Sequence, residues 1–414
     1  MNSLKTYKII LSLSVLPAIA GINNTTAQEL STYLEQAVAN NPEIKAYELR
    51  YNLAQEKSAE VNTFPDTEFA AGYFVSTPET RTGAQRARFS VKQMLPWFGT
   101  VDARIAAQNA MAEAEYADYV IAKRKLELKV AQSYYVMYGL KAKMIVLQQN
   151  KELLKSYEEL ALSAVEVGKA SAVDFLKIQI RQNELEAQRQ MLDQELTAAE
   201  IQFYTLLNTE ESAPIRIVDS LIIPFSDPEV SLEALLQNPE LLKYDRIYES
   251  IASAEALNQR EAAPKFGVGL DYIPVSERTD VMLPDNGKDI VMPMLSVSVP
   301  IFNNKYKSVT RQNELRQQEL AARRSQRLNL LRSLFAEAQK NRNTARIQYD
   351  TQEQNLKQAR DAESILLKNY ETGTIDFSEV LDIQEMQLSI QTKQIEAVQR
   401  YYEQAAVINY LTLF

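Results

Sequence analysis

The sequence predicts a mainly α fold with some β, built from one helix–hairpin–helix unit used twice. Three observations predict it. The same landmarks recur in order: Leu34-Glu35 then Asn41-Pro42-Glu43, and again Leu232-Glu233 then Asn238-Pro239-Glu240. The halves close on related phrases, Ala-Ala-Glu-Ile-Gln-Phe-Tyr-Thr-Leu-Leu (198–207) and Ala-Ala-Val-Ile-Asn-Tyr-Leu-Thr-Leu (405–413). Ordered self-similarity of this kind marks a duplicated architecture. Proline is also unevenly spread. Of 14 prolines none lies between Pro96 and Pro214 or beyond Pro300, and 303–372 holds neither proline nor glycine. Each half, finally, carries two stretches that alternate apolar and polar, the period of a two-faced strand.

The elements follow in order. Residues 1–27 read as a secretory signal: Lys5 and Lys8 precede the apolar run Ile9–Leu16, with small-residue cleavage sites after Ala20 and Ala27. That run is too short for a membrane anchor, which needs about 20 residues. The first repeat, 28–230, opens with a helix over 30–62. Strands follow over 66–76 and 86–98, then helices over 100–167 and 171–208. A proline-bearing linker, 209–230, completes it. The second repeat, 231–414, has a helix over 231–262, strands over 264–273 and 289–302, and helices over 303–372 and 376–413. Asn41 and Asn238 suit helix N-caps, with Pro42 and Pro239 at the first helical position. The long segments are rich in Ala, Leu, Gln, Glu, Lys and Arg, the good helix formers. At 1.5 Å per residue they run about 100 Å. Helices of that length must bury a narrow apolar stripe, such as Leu126, Val130, Tyr134 and Met137, against other long helices.

Composition excludes much. There is no Cys and no His. Disulfides, thiolate metal sites and Ser-His-Asp, Cys-His or His-zinc catalysis are therefore impossible within the chain. No enzyme, metal or cofactor is expected. The net charge of −9 argues against a nucleic-acid partner. Gly168-Lys169 lacks the preceding Gly and following Ser or Thr of a phosphate loop. Met292-Pro293-Met294 admits soft-metal contact, with packing the commoner explanation. Nothing supplies energy, so any transport is passive.

The strands carry the functional reading. Phe69, Ala71, Tyr73 and Val75, then Phe89 and Val91, form apolar faces; Arg86, Arg88, Ser90 and Lys92 face the other way. Phe266, Val268, Leu270 and Tyr272 alternate with Lys265, Gly267, Gly269 and Asp271. Two-faced strands of about ten residues match an outer-membrane barrel, with Arg86, Arg88, Lys92, Lys265 and Asp271 lining its lumen. Trp97, Phe98 and Phe302 sit where strands would leave the bilayer. Half-buried soluble hairpins are the competing reading. Four strands cannot close a barrel, and lipid forbids an open edge. Two copies would give about eight strands, too narrow for a water channel, while three would give about 12.

With the duplication, the Asn-Pro starts, Pro96-Trp97-Phe98, Pro300-Ile301-Phe302, Gly168, Gly373 and the phrase Gly373-Thr374-Ile375-Asp376-Phe377-Ser378-Glu379-Val380-Leu381-Asp382, the chain resembles the TolC family of outer-membrane efflux ducts. The resemblance implies a homotrimer sharing a 12-stranded barrel in outer-membrane lipid. It also implies a long α-barrel crossing the periplasm, a belt containing 209–230, and tip turns at Gly168 and Gly373. A periplasmic adaptor (membrane fusion) protein and an inner-membrane pump of RND or ABC type are the implied partners. The family's acidic tip ring maps to Asp174, Glu379 and Asp382, while a family arginine that ties neighbouring coils is Ile375 here. Ser171-x-x-Asp174 and Asp376-x-x-Glu379 equally fit capping boxes; Asp382 has no capping role. A type I protein-secretion duct and a non-channel periplasmic coiled-coil scaffold stay open as alternatives.

Overall fold

The computed structural model describes residues 24–166, 171–210, 214–280 and 282–412. Residues 1–23 of the expected signal and Gly168 lie outside them. The chain runs α1 (Asn24–Asn40), α2 (Pro42–Glu60), β1 (Thr67–Tyr73), β2 (Glu79–Thr80), β3 (Gly83–Ala84), β4 (Ala87–Leu95), α3 (Thr100–Glu166) and α4 (Ala172–Leu207). A 3-10 turn (Leu232–Gln237) then leads into α5 (Pro239–Glu261), β5 (Lys265–Ile273), β6 (Ile290–Ser298), α6 (Lys305–Glu371) and α7 (Phe377–Thr412). The long helices α3 and α6 have 67 residues each, and their partners α4 and α7 have 36 each.

Several boundaries depart from expectation. The helix expected over 30–62 is two helices. Asn41 is extended (φ −69°, ψ 123°) because a residue before proline is pushed out of the helical region, and its side chain caps α2. The helix expected over 231–262 is likewise a 3-10 turn and α5, divided at Asn238 (φ −61°, ψ 130°). The strands expected over 66–76, 86–98 and 289–302 are shorter. β4 stops before Pro96 and β6 before Pro300, since proline cannot donate to a ladder. The polar loop over 77–85 contains the small β2–β3 hairpin. That hairpin is locked to the loop after β5: Gly287 N donates to Thr82 O (2.8 Å), Ser276 N donates to Ala84 O (2.9 Å) and Arg81 pairs with Asp285 (2.5 Å).

β1, β4, β5 and β6 form one antiparallel sheet in that order. Among the described residues, β1 and β6 each pair on one side only. Next to the sheet the helices form an arc, with α2 on α3, α3 on α5 and α5 on α6. Lys243 of α5 reaches Asp118 of α3 (2.6 Å), and Arg324 of α6 reaches Asp245 of α5 (2.8 Å). Farther from the sheet α4 packs on α3, α3 on α7 and α7 on α6. The largest core lies at mid-length, where α1, α3, α4, α7 and residues 217–223 share Val130, Tyr134, Met137, Phe203 and Tyr401. A second, around Leu154, Ile178, Leu185 and Phe377, lies toward the turn between α6 and α7.

Candidate functional site: wall, waist and tip

The register sorts the sheet into two faces. Across β4 and β5, Ser90 faces Asp271 and Lys92 faces Gly269, while Phe89 faces Tyr272 and Val91 faces Leu270. β6 continues the pattern, with Ser298 opposite Lys265 and Ser296 opposite Gly267, but Val297 opposite Phe266 and Leu295 opposite Val268. Arg88, Lys92, Lys265 and Asp271 therefore share one face with Glu68 of β1, which lies opposite Lys92. Phe69, Tyr73, Phe89, Phe266, Val268, Leu270, Leu295 and Val297 are exposed on the other. Exposed apolar surface this extensive marks a face that meets lipid or protein. Asp271 is wholly enclosed and paired with Arg88. Arg86 stands just outside β4 and bonds Ser276. Trp97 stacks on Phe266 (5.7 Å between ring centroids), whereas Phe98 and Phe302 are exposed at the strand exits.

At the waist, tyrosines hold the linker, a set that sequence reasoning missed. Backbone N–H groups of Arg216, Val218 and Leu221 donate to the hydroxyls of Tyr33 (2.8 Å), Tyr134 (3.1 Å) and Tyr138 (3.0 Å). Tyr402 donates to Ile222 O (2.6 Å). Asp227 takes a hydrogen bond from Tyr401 and pairs with Arg346 (2.6 Å) and Arg342 (3.5 Å). Burial opposes ionisation of Asp227, but the bonds from Tyr401 and Arg346 outweigh it and hold the carboxyl below its ordinary value. The only signal in the sequence was the tyrosine spacing on α3.

At the far end, Gly373 (φ 74°) turns the chain from α6 to α7, with open space where a Cβ would stand. Its N–H bonds Tyr370 O (2.9 Å), and Thr374 N bonds Asn369 O (3.0 Å). Phe377 seals the turn against Tyr370 (4.8 Å) and Tyr157 (5.7 Å). Ser171 caps α4 by accepting from Val173 N (3.1 Å). Glu379 and Asp382 come together as exposed neighbours on α7. Asp174 does not join them. It is only 9% exposed, 4.0 Å from Lys177, and its charge adds to burial in raising the Tyr370 hydroxyl pKa. Sequence reasoning also missed how the exposed face of α7 continues, through Met386, Ser389, Lys393, Glu396 and Arg400 at helical spacing. Behind it a buried polar seam joins three helices: Tyr157 donates to Glu363 (2.5 Å), Gln387 to Glu363 (2.9 Å) and Gln384 to Asn150 (2.6 Å).

No described helix is long and apolar enough to cross a membrane. The family model for outer membrane efflux proteins matches residues 33–209. No curated protein matches the sequence. Among solved structures the chain is similar to CusC, studied for transmembrane channel formation, with a TM-score of 0.74 at 15% identity, covering 93% of this chain and 92% of that one. It is similar to the outer membrane protein VceC of Vibrio cholerae (0.71, 16% identity, 93% and 96% covered). A third match is the MtrE outer membrane channel of Neisseria gonorrhoeae in its open state (0.70, 17% identity, 93% and 88% covered). These likenesses show a shared fold, mainly helical with a small sheet.

Proposed function

We infer that this chain, whose residues 33–209 match the family model for outer membrane efflux proteins, forms the outer-membrane duct of a tripartite exporter. The observation that carries the reading is the four-stranded sheet, apolar on one face and polar on the other, open at both edges and continuous with helices about 100 Å long. Lipid leaves no unpaired edge unsatisfied. β6 of one copy therefore pairs with β1 of the next, and three copies close a barrel of about 12 strands, wide enough for water. Its polar face, with Arg88, Lys92, Lys265 and Asp271 and with Arg86 at the rim, lines the lumen. Trp97, Phe98 and Phe302 mark the bilayer interface.

The helices extend the passage into the periplasm as a shared α-barrel. Substrate enters from a periplasmic adaptor and an inner-membrane pump of RND or ABC type, and transit is passive. Glu379 and Asp382 form acidic rings beside the tip turn at Gly373, while Asp174, nearly buried on α4, stands apart from them. Three copies of each carboxylate in a narrow neck repel one another and attract cations.

Fractionation and planar-bilayer recording test this reading. The protein is expected in the outer membrane as a crosslinkable trimer that conducts, with Glu379→Ala and Asp382→Ala weakening cation block. A monomer soluble without detergent sinks the duct, and unchanged conductance and block in both variants sink the gate.

A further inference from the structure

We propose that the cavity at the waist, between α3, α7 and the linker, is a binding site for an aromatic anion. Its volume is about 710 Å3, inside the range of about 300–1,000 Å3 usual for small-molecule sites. α3 supplies Tyr116, Tyr119 and Tyr135, α7 supplies Tyr402 and Tyr410, and the linker closes one end with Pro224 and Pro228. Every wall comes from one chain, so the site does not depend on the duct reading.

The rings stand as plates for a flat ligand. Tyr135 meets Tyr402 at 5.3 Å between centroids with 33° between planes, and Tyr116 meets Tyr119 at 5.9 Å and 30°. Aromatic faces of this kind take up a further ring by offset or edge-on stacking. The hydroxyls of Tyr402 and Tyr410 are already committed, to Ile222 O and to Glu240. That of Tyr135 enters no hydrogen bond among the described residues, although burial, helped by Tyr402, pushes its pKa well up. A hydroxyl so far out of water asks for an acceptor.

The charged lining sets the sign of the ligand. Lys123, Arg124 and Glu127 stand together on the α3 wall. Arg124 crosses to α7, donating to Asn409 O (3.0 Å) and Tyr410 O (2.7 Å) with its guanidinium over the Tyr410 ring (5.7 Å). Burial lowers the Arg124 pKa more than Glu127 and Tyr410 raise it. Glu127 is 4.0 Å from Lys123, and burial raises its pKa in spite of both cations. Two cations against one poorly solvated carboxylate favour a negative ligand and repel an organic cation. Arg342, also on the lining, is already met by Asp227 (3.5 Å). The ligand thus lays its ring system on the tyrosines, turns its acidic group to Lys123 and Arg124, and accepts the Tyr135 proton. Seated there it ties α3 to α7 and the linker, and it stabilises the folded chain by mass action.

The test is fluorescence anisotropy of fluorescein, an aromatic anion, titrated with the purified full-length protein in nonionic detergent. Tetramethylrosamine, a cation on a like ring frame, is the counterpart, and empty micelles give the blank. Wild type is compared with Ala406→Trp, which fills the cavity from α7, with Lys123→Gln, and with Lys129→Gln, an exposed lysine of α3 off the cavity wall. Fluorescein is expected to bind wild type saturably, at least tenfold more tightly than tetramethylrosamine, and to raise the thermal midpoint. Ala406→Trp is expected to lose at least tenfold in affinity and Lys123→Gln several-fold, while Lys129→Gln binds as wild type. Lys123 is 42% exposed, so its variant keeps the fold and decides the matter where Ala406→Trp fails to assemble. No saturable binding by wild type, equally tight binding of the cation, wild-type affinity in either cavity variant, or equal loss in Lys129→Gln overturns the proposal. Trimer formation and conductance, measured in parallel, report on the duct independently. A conducting trimer that ignores fluorescein defeats only this site, and a cavity-dependent fluorescein site on a non-conducting protein defeats only the duct.

Discussion

Tyr134 is 1% exposed, its hydroxyl pushed up to about 12 by burial, and it accepts the N–H of Val218 from a linker with no strand partner of its own. Tyr134→Phe keeps the ring in the core but strands a buried donor, a loss of about 1–3 kcal/mol. A lower thermal midpoint in detergent, with unchanged helix content, is the expected result; an unchanged midpoint means water replaces the hydroxyl. Asp227 gives the same clamp a pH signature. Its folded carboxyl titrates below the unfolded value, so its contribution is full above about pH 4 and lost as pH falls through the lower folded value. Asp227→Asn should therefore lower the midpoint at pH 7, and the gap from wild type should close in strong acid. A gap that widens on acidification contradicts the assignment. Neither residue was legible in the sequence. A tyrosine on an apolar helical stripe looks the same whether its hydroxyl meets water or backbone, and the linker that decides the matter lies far along the chain. Arg88, Lys92, Lys265 and Asp271 were legible because strand alternation alone assigns them a common face.

Elements were read well in kind and less well at their ends. Long runs without proline or glycine gave α3 and α6, since nothing in them breaks a helix. The divisions at Asn41 and Asn238 were visible as caps but lay inside single expected helices. The two caps are not equivalent. Asn41 bonds Glu43 N (2.9 Å) in an exposed turn, whereas Asn238 is 1% exposed, accepts from Glu240 N (2.9 Å) and donates to Leu411 O (3.0 Å). Asn41→Ala should cost about 1 kcal/mol. Asn238→Ala should cost about 2 kcal/mol or more, because it also orphans a buried carbonyl at the end of α7. Denaturant unfolding of the two variants side by side checks the order, and equal losses refute it. A polar seam likewise ties α3, α6 and α7 together near the α6–α7 turn. Gln384 and Gln387 are buried polar groups whose partners sit on other helices. Replacing both with Leu removes those ties, and mean single-channel conductance should rise if they hold the tip shut. An unchanged conductance shows that they only position α7.

At the scale of the whole molecule, the arc of helices ends as the sheet does, with unfinished faces. On α4, Val173, Leu176 and Ile180 are 56%, 55% and 58% exposed at a spacing that puts them on one side. On α6, Ile347 and Ile365 are exposed as well. A lone chain leaves this surface in water, where burying each such side chain would gain about 1.5–3 kcal/mol. In the ring of three proposed above, α4 of one copy would lie on α6 of the next and cover the stripe. Leu176→Asp with Ile180→Asp places two charges at that seam. They sit on the surface of the protomer, so the fold itself has little to lose. The expected outcome is loss of the trimer by light scattering in detergent with far-ultraviolet circular dichroism unchanged. A variant that stays trimeric means that α4 faces periplasm or partner instead, and the strand edges must then hold the ring together without the stripe.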